Sequence, residues 1–193
     1  MSKRIILAVA LAFIASGANA ESVAYKIDPS HTVVLASWNH LGFSNPSAYF
    51  GDVSGTISYD AETPENSKVE VVLPMSGLDS FLPSFDEHLR SADFFDAERF
   101  PEARFSSTSV RAAGDGRLEV TGDLTLHGVT RPVVLDVTLN KAAPHPMGNT
   151  PTIGFEATGT INRSEFGIDK YVPAVSDAIT LRITTEASAA GEG

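Results

Sequence analysis

The chain has 193 residues, contains no cysteine, and carries 24 acidic against 14 basic residues, for a formal net charge of −10. The lack of cysteine excludes thiol catalysis, disulfide exchange and thiolate metal sites. The negative charge argues against nucleic acid and anionic lipid head groups as partners, because both are themselves negatively charged.

Residues 1–20 have the pattern of a secretory signal peptide. Lys3 and Arg4 precede an apolar run over residues 5–14, and small residues end the segment in a typical cleavage pattern. The apolar run is too short to span a membrane. We therefore expect cleavage of this segment, a single domain over residues 21–193 and a periplasmic location.

Alternation of apolar and polar residues dominates the rest of the chain and predicts β-strands. About eight strands with one apolar face favour an all-β fold, either a closed antiparallel barrel or a sandwich. Gly114 and Gly116 mark a hairpin, and the ranges 60–66 and 142–151 read as loops. In chain order the alternating runs are VAYKID from Val23, TVVLASWNH from Thr32, GTISYD from Gly55, SKVEVVLPM from Ser67, ARFSSTSV from Ala103, RLEVTGDLTL from Arg117, RPVVLDVTLN from Arg131, TIGFEATGTI from Thr152 and AITLRITTE from Ala178.

Small residues interrupt the apolar rows that face inward. Ala36, Gly122, Ala157 and Gly159 lie in register with bulky neighbours such as Trp38. An eight-stranded barrel is near the size at which its interior is either filled by side chains or holds one ligand. The alternation alone leaves both possibilities open.

One segment, residues 85–100, breaks the strand pattern, and we refer to it as the insert. It is rich in acidic and aromatic residues, and Ser84 with Glu87 fits a capping box that would start a helix near Phe85. We expect its acidic side chains to face water. Its aromatic side chains should cover an apolar end or flank of the barrel, either as ordinary core packing or as a lid over a ligand.

Motifs for catalysis are missing from the sequence. It contains neither a G-x-S-x-G nucleophile elbow nor a phosphate-binding glycine loop, and its five histidines are scattered. The sequence therefore predicts no catalytic group, no metal site and no cofactor, although a close pair of carboxylates remains open among so many acids. His40 and Arg163 follow apolar strands, where each is either a structural residue or a ligand for a polar head group.

Several motifs, in order along the chain, resemble the YceI-like family of exported, lipocalin-like proteins. The most specific of them is the pair LRSADFFDAERFP, from Leu89, and LTLHGVT, from Leu124. Leu35 departs from the family pattern, because it takes an outward position that is usually polar. The other matching pieces are YKIDPSH from Tyr25, HLGFS from His40, Phe50 with Gly55, ISYD from Ile57 and NRSEFGID from Asn162.

The resemblance implies an extended eight-stranded antiparallel, lipocalin-like barrel with the insert as a short helix. In relatives, the tunnel of this barrel holds a polyisoprenoid or a similar amphiphile such as a fatty amide. Relatives are periplasmic, and some are associated with isoprenoid quinones, membrane cytochromes or stress responses. The expected ligand is thus a long-chain lipid, with transient contact to a membrane protein and a monomeric or homodimeric state.

The inward rows supply the candidate binding residues. Head-group candidates are His40, Arg90 and Arg163, which offer an imidazole and two guanidinium groups. Two other classes of function stay open: an enzyme acting on a small amphiphile, and a stress or partner protein with a filled barrel. The residues expected to contact the lipid tail are Val34, Ala36, Trp38, Ile57, Val71, Leu73, Leu89, Phe94, Phe95, Phe105, Leu124, Phe155 and Leu181.

Overall fold

The computed structural model describes residues 22–189, so the expected signal peptide and the last four residues lie outside the described part. The described chain forms one short α-helix, α1 (Pro83–Arg90), four 3-10 turns (Pro29–His31, Pro64–Asn66, Met75–Gly77 and Arg163–Phe166) and eleven strands joined in one antiparallel sheet. The strands are β1 (Val23–Ile27), β2 (Val33–Ser37), β3 (Ser47–Phe50), β4 (Ser54–Tyr59), β5 (Lys68–Pro74), β6 (Leu78–Asp79), β7 (Glu102–Gly114), β8 (Arg117–Leu126), β9 (Val129–Pro144), β10 (Pro151–Asn162) and β11 (Ala178–Ala189).

Eight of these strands close into a barrel, which confirms the predicted fold. The order around the wall is β1, β4, β5, β7, β8, β9, β10 and β11, and β11 pairs back onto β1. Closure leaves these strands without an open edge. Within the described residues, no helix is long and apolar enough to cross a membrane.

The remaining three strands extend one side of the wall. β2 pairs with β11 beyond the end of β1, β3 pairs with β2, and β6 pairs with β3. β1, β4 and β5 thus continue as β2, β3 and β6 after short interruptions. We call the end of the barrel that carries the insert and the connections 38–46 and 163–177 the insert end.

The interruptions bring two backbones unusually close. Gly51 donates a backbone hydrogen bond of 2.9 Å to the Gly77 carbonyl. A Cβ atom on Gly77 would lie 2.3 Å from the carbonyl oxygen of Gly51, so the site has no room for a side chain.

Replacing Gly77 by Ala is therefore expected to destabilise the protein by about 2 kcal/mol, because the neighbouring backbone has to move. Urea unfolding of the variant measures the change. Gly148→Ala is the matched control, since the nearest atom to its added Cβ is 3.7 Å away. Equal stability of the two variants would contradict the close approach.

The inward rows pack as alternation predicts, and the small residues in them have two different roles. A Cβ on Gly122 would lie 2.4 Å from the Phe105 ring, so this glycine makes room for a neighbouring side chain. A Cβ on Gly159 would likewise meet Leu135 at 2.7 Å. Ala36 and Ala157 instead line open space inside the barrel.

The insert is helical, but the predicted capping box is wrong. α1 begins with Pro83 at its first turn, and its N-cap residue Leu82 makes no side-chain cap. Asp86 instead accepts hydrogen bonds from the backbone and hydroxyl of Ser80, which ties the first turn to the preceding segment.

The acidic residues of the insert do not all face water, contrary to expectation. Glu87, Asp93 and Glu98 are exposed, whereas Asp86 and Asp96 are buried. The hydrogen bonds from Ser80 hold the pKa of Asp86 below its ordinary value and compensate for its burial. Asp96 accepts a hydrogen bond of 3.1 Å from Arg99.

Candidate functional site

A cavity of about 270 Å³ lies inside the barrel at the insert end, and we call it the upper cavity. Its walls come from α1 and from strands on both sides of the barrel, and its lining is almost entirely apolar. Nine of the residues predicted to contact a lipid tail line it: Val34, Ala36, Trp38, Leu73, Leu89, Phe94, Phe95, Leu124 and Leu181.

A second cavity, the lower cavity, has a volume of about 160 Å³ and lies further from the insert. Ile57, Val71, Phe105 and Phe155, the remaining predicted tail residues, line it. Beyond Phe155, the next inward residue of β10 is Ile153, which is fully buried and belongs to the packed core.

Four side chains line both cavities and form the boundary between them. They belong to four different strands, β2, β5, β8 and β11, and we call them the constriction ring: Val34, Leu73, Leu124 and Leu181. The two cavities therefore lie in series along the barrel. A ligand that filled both would be long, narrow and apolar.

Aromatic side chains of the insert form the wall of the upper cavity. The Phe95 ring meets Phe50 edge-on at 5.7 Å, and Phe94 lies 4.8 Å from the His88 ring. Phe94 also approaches Tyr171 at 6.3 Å, so the insert touches the connection 163–177. These contacts place the insert over one end of the barrel interior.

Sequence reasoning missed several residues that line the upper cavity. Phe85 lies four positions before Leu89, on the helix face that the spacing predicts, although it is absent from the predicted tail residues. Residues in loops follow no period, so pattern analysis could not place them. The missed residues include Phe50, Met75, Phe85, His88, Ile168 and Tyr171.

The three head-group candidates have different surroundings. His40 is exposed and lines the upper cavity, as does the unpredicted His88, so both imidazoles can reach a ligand at the mouth. Arg163 also lines this cavity but is buried. Arg90 lies outside the lining of both cavities, because its guanidinium donates to the carbonyls of Met75, Ser76 and Leu78.

Arg163 is committed to the backbone of the connection 163–177. Its guanidinium donates to four carbonyls at 2.9 to 3.1 Å, those of Ile168, Lys170, Val175 and Ser176. Burial lowers the pKa of Arg163, and the nearby carboxylates of Asp177 and Asp169 oppose this effect. The arrangement indicates that Arg163 shapes the mouth and has little donor capacity left for a ligand.

An ion pair joins the connection 163–177 to the insert. Lys170 donates to the carboxylate of Asp93. This hydrogen bond lowers the pKa of Asp93 and raises the pKa of Lys170, because each charged group stabilises the other. Two segments far apart in sequence thus meet beside the upper cavity.

The histidines are less scattered than the sequence suggested. Asp28, His31 and Glu186 place one possible ligand atom each within 4.8 Å of one another, and His145 lies 4.0 Å from Glu186. His31 is exposed, and its hydrogen bond with Asp28 raises its pKa. This cluster borders a polar cleft at the far end from the insert, and Thr32 and Thr185 line both this cleft and the lower cavity.

Comparison with known proteins gives a consistent family relationship. A family model for the YceI-like domain matches residues 25–187. The UPF0312 protein of Pseudomonas putida strain F1 is 41% identical over 182 residues, covering 93% of each protein.

Two solved structures share the barrel. The Campylobacter jejuni YCEI protein superposes with a TM-score of 0.72 at 30% identity, over 79% of this chain and 90% of its own. A polyisoprenoid binding domain from Saccharophagus degradans has a TM-score of 0.66 at 14% identity, over 87% of this chain and 99% of its own. Because the domain match extends from β1 to β11 and the Pseudomonas relative aligns along nearly its whole length, this chain belongs to the YceI-like family.

Proposed function

We propose that this protein binds a long-chain isoprenoid lipid, or a similar amphiphile, with its tail inside the barrel. The observation that carries the proposal is the series of two apolar cavities, in which imidazole and guanidinium groups line the upper cavity only. The tail would pass from the upper cavity through the constriction ring into the lower cavity. His40 and His88 would face the head group.

The apolar lining is sufficient for tight binding. Transfer of each CH₂ group of a lipid tail from water contributes about 0.8 kcal/mol. Several isoprene units therefore supply enough free energy to offset the costs of association. Shape and apolarity suffice for this task, so it requires no catalytic group, metal or cofactor, and we infer a binding protein and not an enzyme.

The Saccharophagus domain supports the choice of ligand, because it is described as polyisoprenoid binding and shares the barrel. The pattern at residues 1–20 supports a periplasmic location, which makes a lipid-carrier role between membranes physically reasonable. A membrane protein could receive the lipid, and the carrier could act as a monomer or a homodimer.

Native mass spectrometry of the protein purified from its own host without detergent tests the proposal. We expect a discrete added mass, which organic extraction should identify as a prenyl lipid or a related amphiphile. A protein that carries no added mass and does not bind added prenyl lipids would overturn the proposal and favour the filled-barrel alternative. Turnover of an added amphiphile, lost in His40→Ala, would instead favour an enzyme.

The lower cavity predicts a dependence on tail length. Ala157 lines this cavity just beyond the constriction ring, so Ala157→Phe should exclude the end of a long tail. Loss of two to three buried CH₂ groups costs about 2 kcal/mol, or roughly a thirtyfold weaker binding. A short prenyl chain that ends in the upper cavity should bind unchanged.

Titrations of the Ala157→Phe variant with a short and a long prenyl alcohol measure this difference. Thr158→Phe is the matched control, because the neighbouring side chain is exposed on the outer face. Equal weakening for both chain lengths would contradict a tail site in the lower cavity.

A further inference from the structure

Large exposed apolar side chains concentrate at the insert end of the barrel. Residues 22–189 contain eight of them, and five belong to connections at this end. Phe43 is 89% exposed, and Phe81 is 74% exposed although its ring meets Tyr49 edge-on at 5.1 Å. We call the five residues the collar: Leu41, Phe43, Phe81, Leu82 and Tyr171.

The collar residues belong to segments that border the upper cavity. Leu41 donates its backbone hydrogen bond to Ala174, which joins two of the connections that carry collar residues. Leu82 is the N-cap residue of α1, and this helix lines the cavity through Phe85 and Leu89. Tyr171 itself lines the cavity. The exposed apolar side chains therefore lie at the point where a lipid would enter.

The backbone of the collar is strained as well as exposed. Leu41, Phe81 and Tyr171 have φ angles of 57°, 65° and 66°, in the left-handed region that bulky residues rarely adopt. Two of these turns are held by hydrogen bonds to side chains: the Gly42 backbone donates to Asn39, and the Phe81 backbone donates to Asp79. Neither burial nor backbone preference favours large apolar residues at these positions. We therefore expect these side chains to contact something outside the protein.

Charge determines which surface the collar fits. The five side chains are uncharged, and the insert carries the exposed acids Glu87 and Glu98 besides Asp93, whose charge is balanced by Lys170. The whole chain is also strongly acidic. A negatively charged membrane would repel this end, whereas a zwitterionic membrane would not.

We propose that the collar docks the mouth of the barrel onto a zwitterionic lipid bilayer. Aromatic and aliphatic side chains at loop tips favour the bilayer interface, where apolar groups leave water without needing a matching protein surface. Separate loop tips also differ from the continuous patch that a protein partner buries. The inference rests on the proposed lipid-binding function and specifies where the lipid is exchanged.

Flotation with phosphatidylcholine vesicles that contain no prenyl lipid tests the collar. The purified protein should float with the vesicles, and Phe43→Asp/Phe81→Asp should reduce the bound fraction at least tenfold. Val134→Asp/Met147→Asp is the matched control, because both side chains are exposed and apolar but lie away from the insert end. The control variant adds the same charge and should bind like the parent protein.

Retention of a prenyl lipid loaded from detergent is measured in parallel, so that docking and binding are separated. The collar variant should retain this lipid and unfold at the parent's temperature. If the double variant does not fold, Phe43→Asp alone replaces it in the flotation assay, because Phe43 is almost fully exposed and its substitution should not affect folding.

Three results would overturn the collar. In the first, the collar and control variants float equally. In the second, the parent protein binds only vesicles that contain anionic lipid. In the third, the parent protein retains a prenyl lipid but does not bind the vesicles. The last result would leave the proposed function intact. Conversely, collar-dependent flotation of a protein that retains no lipid would support docking while removing the proposed function.

Discussion

Phe94→Asp/Phe95→Asp is expected to abolish lipid retention while the barrel remains folded. Both rings line the upper cavity, and Phe95 packs edge-on against Phe50. The substitution places two carboxylates against an apolar tail, where a charge without a partner is strongly disfavoured. The insert lies between β6 and β7 in the chain and contributes no strand to the closed wall, so the strand pairings should survive.

Native mass spectrometry measures retention in this variant, and circular dichroism with urea unfolding reports on the barrel. Val134→Asp/Met147→Asp again controls for the added charge at exposed sites. Phe94→Leu/Phe95→Leu keeps the wall apolar and should retain the lipid. A folded aspartate variant with unchanged retention would show that the insert does not wall the lipid site.

Arg163→Met is expected to lower the free energy of unfolding by about 3 kcal/mol, the largest stability effect that we predict for a single substitution. Four carbonyls of the connection 163–177 would lose their donor, and buried polar groups without partners each cost about 1 kcal/mol or more. Arg163→Lys should retain only a small part of the free energy of unfolding that Arg163→Met loses, because a single ammonium group cannot reach all four carbonyls.

Urea unfolding measures this loss, and Arg111→Met provides the control. Arg111 forms an exposed surface pair with Glu119, so its replacement should change stability by less than about 1 kcal/mol. If Arg163→Met were as stable as this control but lost lipid binding, Arg163 would be a head-group ligand instead of a structural residue.

The barrel could be predicted from sequence because alternation reports directly on which face of a strand is buried. The row of Leu118, Val120, Leu124 and Leu126 along β8 points inward as its period requires, and all four side chains line a cavity. The interruptions that split three strands were not predictable, because they depend on close backbone contacts such as that between Gly51 and Gly77. Alternation carries no information about these contacts.

The residues of the candidate site could be predicted only where they lie on strands or on a helix face. Arg163 and Arg90 resemble head-group ligands in sequence, because composition does not reveal that each guanidinium donates to backbone carbonyls. Asp86 was expected to face water but is buried. Its burial could not be predicted, because its partner Ser80 lies outside the helix. His88 and Tyr171 reach the cavity through tertiary contacts that no local pattern records.

The constriction ring has a consequence for how fast a ligand would exchange. Three of its side chains come from strands of the closed wall and Val34 comes from β2, which pairs with β11, so we expect the ring to widen mainly by small rotations of packed side chains. A tail that extends past the ring has to withdraw lengthwise before it leaves, and each CH₂ group adds to the barrier. Ligands that end above the ring would dissociate quickly, whereas slightly longer ones would have much longer residence times. The ring would then sort lipids by the lifetime of the complex as well as by affinity.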